Sequence, residues 1–233
     1  MSMSNTAAQH LQRQILSGVY QTGHMLPGQR DLAETMGISR ASLREALSML
    51  EALGFIRTVP GKGTLVTSGK GPGKSGKASK VSTKRGAITS STSDIPATLQ
   101  LRFVIEPAAA ALAARGVNVH ATARLWNIQA RLENALKNLD LIEASQADLE
   151  FHQLIAELSG NPDLQRVLRD FSERISHSLR LPFADHARIW EPCEEHRLIA
   201  AAISLGDADG ARAAMQTHLR NSAARAEIPL IEP

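Results

Sequence analysis

MLPGQRDLAETMGISRASLREALSMLEALGFIRTVPGKGTLV, residues 25–66, encodes a short helix, a tight turn, a longer helix and a hairpin within 42 residues. Gln29–Met36 reads as the short helix, and Gly37 stops it. Ser39 is a natural N-cap for a second helix over Arg40–Leu53, which ends at Gly54. Phe55–Val59 and Thr64–Thr67 alternate as strands, and Pro60-Gly61-Lys62-Gly63 between them supplies the positive-φ residues a hairpin needs. Leu32, Ala33, Leu43, Ala46, Leu47, Leu50 and Leu53 fall on the inner face of these helices. Upstream, Thr6–Ser17 is amphipathic, with Leu11, Ile15 and Leu16 inward, and Gly18 and the GHMLPG stretch terminate it. Helix, short helix, three-residue turn, longer helix and hairpin, in that order, predict a winged helix-turn-helix.

That fold has a chemistry. Arg40, Ser42 and Arg44 lie near the start of the third helix, where a recognition helix offers side chains to base edges. A guanidinium pairs with guanine O6 and N7 through two hydrogen bonds, which gives about 1–3 kcal/mol of discrimination. Arg30 can reach a phosphate or a groove edge, and Lys62, flanked by glycines at the wing tip, can approach the DNA backbone. Any one of these cations alone could equally be a solvated surface charge; the ordered set with a wing points to DNA.

Charge distribution agrees. The net charge of +3 conceals a basic front, with twelve Lys/Arg against four Asp/Glu in residues 1–93. The remainder is acidic, with fourteen Lys/Arg against nineteen Asp/Glu. Only the front therefore favours a polyanion. Ser68–Ser93 (SGKGPGKSGKASKVSTKRGAITSSTS) contains five Lys, one Arg and no acid, and reads as a flexible linker. Beyond it, helical periodicity predicts helices near Pro96–Arg115, Ala121–Asn138, Leu141–Ser159, Pro162–Leu181, Glu194–Leu205 and Asp207–Glu227, with a short turn around Asp185–Trp190. The expected fold class is mostly α: an N-terminal winged helix-turn-helix and a C-terminal all-α bundle of six or seven helices. The single cysteine, Cys193, excludes an internal disulfide framework and a Cys-rich zinc module. Stretches such as Ala108–Ala114 and Leu198–Ile203 are far short of the ~18 apolar residues of a membrane span. The first ten residues carry no secretory pattern, so a cytoplasmic protein with no membrane partner is expected.

The back half carries a second candidate. Asp148 and His152 are four apart and share a helix face with Ile155 and Ser159, an inward stripe. His196 accompanies Ile199, Ala200 and Ile203, and His218 accompanies Met215 and Leu219. One carboxylate and three imidazoles on three core-facing helices suit a divalent metal such as Zn, Ni or Mn, with positions left open for water or a ligand. Spacing alone also allows hydrogen-bonded core histidines. Glu150 and Glu195 adjoin the ligand candidates in sequence but, on helical geometry, are expected to turn away from them. Arg102, with Glu106 one turn on, can either hold a carboxylate or form a salt bridge within its helix. Asn221, Arg174 and Arg180 are weaker pocket candidates.

Residues 7–67 closely resemble the DNA-binding domain of GntR-type bacterial transcription regulators. On that pattern the DNA contacts fall on Arg30, Ser39, Arg40, Ala41, Arg44, Lys62 and Gly63. Gly28-Gln29 and Ala41-Ser42 stand where the family usually has Ser-Glu and Thr-Pro. LRFVIEPAAAALAAR, DLEFHQLIAELSGNPDL and EEHRLIAAAISLGDADGARAAMQTHL resemble the FCD effector domain of the family's fatty-acid-regulator branch. The resemblance implies metal ligands at Asp148, His152, His196 and His218, and a site for a small carboxylate or sugar acid beside Arg102, to which the spacing adds Asn221, one turn after His218, as a weaker candidate. It further implies a non-enzymatic homodimer that reads a palindromic operator, expected to act as a repressor. The corresponding division is 1–67 for DNA binding, 68–93 as linker, and 94–233 for effector binding and dimerisation. The alternatives are a metal-dependent hydrolase fused to a DNA-binding domain, or a constitutive DNA-binding dimer with a structural metal.

Overall fold

The computed structural model describes residues 2–67, 95–116, 118–172, 174–175, 183 and 187–231. The expected linker, Arg180 and part of the turn around Asp185–Trp190 lie outside the described residues. The first unit contains α1 (Met3–Leu16), α2 (Gln29–Thr35), α3 (Arg40–Ala52), β1 (Ile56–Val59) and β2 (Gly63–Val66). The strands pair antiparallel, with Ile56 opposite Val66 and Val59 opposite Gly63. This is the winged helix-turn-helix that the sequence predicts. Helix α1 starts three residues earlier than the periodicity indicated, because the Ser2 hydroxyl caps it by accepting from the Asn5 amide. The GHML stretch does more than end α1. Leu26 N–H donates to Thr64 C=O, Val66 N–H donates to His24 C=O, and Met25 bridges Leu65, so this segment lines the wing as a further edge. Gly37, at φ 64°, supplies the left-handed residue between α2 and α3.

The helices that follow among the described residues include α4 (Ile95–Arg115), α5 (Val119–Lys137), α6 (Leu141–Leu158), α7 (Pro162–Asp170), α8 (Trp190–Ser204) and α9 (Ala208–Arg225). Side-chain caps set their starts: Asn118 for α5, Asp140 for α6, Asn161 with Pro162 behind it for α7, and Asp207 for α9. Helix α8 begins at Trp190, four residues before the expected Glu194. Pro192 sits in its first turn, where a missing N–H costs nothing. The expected fourth helix, Pro162–Leu181, ends instead at Asp170 with Phe171 as its C-cap, and the residues beyond are only partly described.

Helix α4 is the central element. Its buried alanines, Ala109, Ala110, Ala113 and Ala114, pack with Leu125, Phe151, Ile199, Met215 and Leu219 from the surrounding helices. By length and composition α4 could cross a membrane. Its burial among the other helices and its buried Arg102–Glu106 pair mark it instead as the core helix of the bundle. The two units also touch. Ala7, Ala8, Leu11 and Ile15 of α1 belong to the same apolar cluster as Leu136, Leu141 and Ile142 at the α5–α6 turn. Three amides line this seam: Gln12 donates to Leu139 C=O, Gln9 to Asp140 Oδ2 at 3.1 Å, and Asn5 to Gln146 Oε1 at 3.2 Å.

Candidate DNA-binding face and metal centre

Helix α3 is amphipathic, and each face has its task. Leu43, Ala46, Leu47 and Leu50 are buried against α1 and the wing. Arg40, Ala41 and Arg44 project from the opposite side, exposed and within one turn of each other. Arg30, Ser39, Lys62 and Gly63 are exposed as well, so all seven residues implied by the family pattern lie at the surface. Ser39 already has a structural use: its hydroxyl accepts from the Ser42 amide at 3.0 Å and fixes the start of α3. Gly63, at φ 116°, begins β2, and a Cβ there would come within 3.1 Å of Met25 Cε. The wing is tied to the recognition helix by Glu51, whose carboxylate accepts from the Thr58 amide at 2.7 Å and the Thr58 hydroxyl at 3.0 Å.

The second candidate lies in the middle of the bundle. Asp148 and His152 come from α6, His196 from α8 and His218 from α9, and all four are at most 2% exposed. Asp148 Oδ1 lies 3.3 Å from His152 Nε2 and 3.2 Å from His196 Nε2. One nitrogen from each of the three imidazoles lies within 4.8 Å of the others. Asp148 Oδ1, His196 Nε2 and His218 Nε2 are buried without a hydrogen-bond partner among the described residues. Unsatisfied buried polar atoms are costly, and a cation between them would satisfy all three at once. The four residues that sequence spacing singled out thus converge, three of them with unpartnered donor atoms and His152 with its Nε2 3.1 Å from Arg102 Nη2, and the donor set fits a tetrahedral or more open divalent site.

Electrostatics favour the same use at Asp148, His196 and His218, and oppose it at His152. Burial drives the His196 and His218 imidazoles below their usual range, which keeps them neutral with lone pairs available. Burial opposes ionisation of Asp148, but the surrounding imidazoles, His196 foremost, outweigh it and hold the carboxyl below its usual range. Burial also lowers His152, but the neighbouring Glu106 carboxylate overrides it and raises the imidazole overall.

The surroundings of the imidazoles correct one expectation. Glu150 does face away, toward Arg131 on the surface. Glu195 does not. His218 approaches α8 from the adjacent helix α9, so a residue turned aside from His196 meets it, and His218 Nδ1 donates to Glu195 Oε2 at 2.8 Å. Sequence spacing could not show this, because it measures angles within one helix only. The Arg102–Glu106 salt bridge exists, with Nε 2.7 Å from Oε1. The same pair also reaches the cluster: Glu106 Oε2 is 2.6 Å from His152 Nδ1, and Arg102 Nη2 is 3.1 Å from His152 Nε2. Two charges in the interior of an apolar, alanine-rich helix, apart from Arg115 at its end, were the available signal. Asn221 is exposed and donates to Glu195 Oε1 at 2.7 Å. Arg174 stacks over Phe171, 5.5 Å from the ring centroid. Cys193 is buried and accepts from Gln129, and burial pushes its thiol up to about 12.

Comparison with known proteins completes the assignment. The family described as "Bacterial regulatory proteins, gntR family" matches residues 3–66, and the "FCD domain" matches residues 97–221. The chain is 29% identical to the HTH-type transcriptional regulator LutR of Bacillus subtilis, over 89% of this chain and 93% of that protein. It is 33% identical to the putative L-lactate dehydrogenase operon regulatory protein of Escherichia coli, over 85% of this chain and 76% of that protein. Among solved structures, the Streptococcus agalactiae GntR superposes with a TM-score of 0.51 at 25% identity, covering 97% of this chain and all of that one. An exposed helix-turn-helix face with a wing, a helical unit behind it, and relatives that are transcriptional regulators rather than enzymes lead to one identification: this chain is a DNA-binding transcriptional regulator of the GntR family that carries an FCD domain.

Proposed function

We propose that this protein is a cytoplasmic, homodimeric repressor of the fatty-acid-regulator branch, and that a small organic acid bound at a metal in the helical unit controls its grip on a palindromic operator. Two winged units would read the half-sites through Arg30, Ser39, Arg40, Ala41, Arg44, Lys62 and Gly63. Asp148, His152, His196 and His218 would hold a divalent ion, Zn, Ni or Mn, which would supply a fixed positive charge and an open coordination position. The observation that carries this reading is the trio of buried, unpartnered donor atoms around Asp148.

Charge supports a carboxylate effector. A divalent ion, one aspartate and three neutral imidazoles sum to a single positive charge, and the buried Arg102–Glu106 pair adds none. One carboxylate neutralises such a site. Arg102 stands beside His152 Nε2 and is placed to receive it, while Asn221 reaches the centre only through Glu195. The name of the Escherichia coli relative ties that protein to an L-lactate dehydrogenase operon, which makes L-lactate the first acid to test. The seam between α1 and the α5–α6 turn supports a route to the DNA-binding unit, because α6 carries both Asp148 and His152. An effector acts through that route only if it binds one arrangement of the units better than the other.

The test is metal analysis of purified protein, followed by titration with L-lactate and sugar acids while following thermal melting and binding to an operator selected from random DNA. A metal lost in His152→Ala, with one acid raising the melting temperature and lowering operator affinity, is the expected result. Complete burial of the four ligand candidates favours a second reading, a structural metal in a constitutive DNA-binding dimer. It predicts bound metal and no response to any acid.

A further inference from the structure

Each imidazole of the cluster is backed from behind, and two of them meet a glutamate at Nδ1, His218 in a hydrogen bond and His152 in a close ion-pair contact. On one side, Glu106 of α4 divides its oxygens: Oε1 accepts from Arg102 Nε at 2.7 Å, and Oε2 lies 2.6 Å from His152 Nδ1. On the other, Glu195 of α8 takes Arg225 Nη1 and Asn221 Nδ2 on Oε1, at 2.8 and 2.7 Å. Its Oε2 takes Arg225 Nη2 and His218 Nδ1, both at 2.8 Å. The side chains of Arg102 and Glu106 are each 1% exposed, that of Arg225 3% and that of Glu195 13%, so the first Arg–Glu–His chain is interior and the second lies at the edge of the core. Phe151 stacks on His196 with centroids 4.2 Å apart and planes 12° from parallel.

We propose that Glu106 and Glu195 are positioning residues for metal binding, each accepting the Nδ1 proton of one histidine and so leaving its Nε2 lone pair on the cluster side, where His218 Nε2 has no partner among the described residues and His152 Nε2 lies 3.1 Å from Arg102 Nη2, which a bound ion would displace. A carboxylate can only accept, so the tautomer follows from the partner. Each arginine neutralises its glutamate, so the carboxylates contribute orientation and imidazole basicity while leaving the net charge of the centre unchanged. His196 lacks such an acceptor among the described residues and depends on its ring stack with Phe151. The functional set is therefore the four ligands together with two Arg–Glu pairs from α4, α8 and α9. This inference rests on the metal reading above.

The experiment is zinc affinity of the full chain by competition with a chelator, with Co²⁺ as a spectroscopic probe. Glu195→Ala and Glu106→Ala are expected to lose about 10- to 100-fold in zinc affinity and to shift the visible Co²⁺ bands. Glu195→Gln keeps an acceptor of the same length and is expected to recover most of that loss, which a merely structural role would not produce. Glu106→Ala leaves Arg102 buried without this partner, so metal-free melting is followed in every variant, and Glu106→Gln provides the folded control for that position. Unchanged zinc affinity and Co²⁺ spectra in folded Glu195→Ala and Glu106→Ala proteins overturn the inference while leaving the metal centre standing. A wild-type protein that takes up neither zinc nor cobalt overturns the metal reading and this inference with it.

Discussion

Arginine serves opposite ends in the two halves of this molecule. On α3, Arg40 and Arg44 stand in solvent, where a guanidinium is cheap to keep and ready for phosphate or guanine. In the bundle, Arg102 and Arg225 are almost fully buried, and each is joined to a glutamate that in turn contacts a histidine. An exposed cation needs only a scaffold that aims it. A buried one must be paired, and the pairing fixes its neighbours. The front thus holds its candidate residues on a surface that substitutions can alter without unfolding it, while the back holds its candidate residues inside the packing that makes the bundle.

The largest expected effect separates the halves. His152→Ala removes one donor atom and leaves Glu106 facing a cavity; zinc affinity should fall by more than the roughly 100-fold upper range for loss of a supporting residue. Binding to random DNA should be unchanged. A parallel fall in DNA binding would show that the two halves are not energetically separate. Next in size is Arg44→Ala, expected to remove about 1–3 kcal/mol of preference for the operator over random DNA, measured as the ratio of the two affinities. An equal loss on both would reduce Arg44 to a phosphate contact.

The same contrast governs what could be read from sequence. The winged unit was legible nearly to the residue, because local signals set it: Gly37, the Ser39 cap and the Pro60–Gly63 turn each act within a few positions. Even there, the pairing of His24 and Leu26 with β2 was missed, because that pairing is non-local. In the bundle, the four ligand candidates were legible because helical periodicity places a polar residue on an apolar face. Their supports were not. Glu195 meets His218, and Glu106 meets His152, across helix–helix interfaces whose rotation no intrahelical spacing encodes. The start of α8 was misjudged because Pro192 is equally compatible with a boundary and with a first turn.

The seam between the halves gives a smaller effect. Gln12 is 1% exposed, and its Nε2 donates to the carbonyl of Leu139, a residue held at φ 52° where non-glycine backbone is unfavourable. Gln12→Ala removes that donor and should lower stability by about 1 kcal/mol, seen as a modest fall in melting temperature. If the seam couples the halves, zinc should slow hydrogen exchange in α1 of the wild-type protein, and Gln12→Ala should weaken that response while zinc affinity holds. An identical zinc effect on α1 exchange in both proteins would dismiss the seam as a route.

The smallest expected effect tests whether the exposed cations differ among themselves. Lys62 sits at the wing tip with glycine on either side, solvent-exposed, and its amide donates to Val59 C=O within the turn at 3.0 Å. Its backbone is fixed by the hairpin, but its long side chain is free to sweep, which suits a point charge on a phosphate and not the fixed fork that reads a base. Lys62→Ala should therefore weaken operator and random DNA by the same factor and reduce the slope of log affinity against log salt by about 1. A selective loss on the operator would instead place the wing among the base-reading elements. Sequence reading would then extend from α3 alone to α3 and the hairpin that Glu51 ties to it.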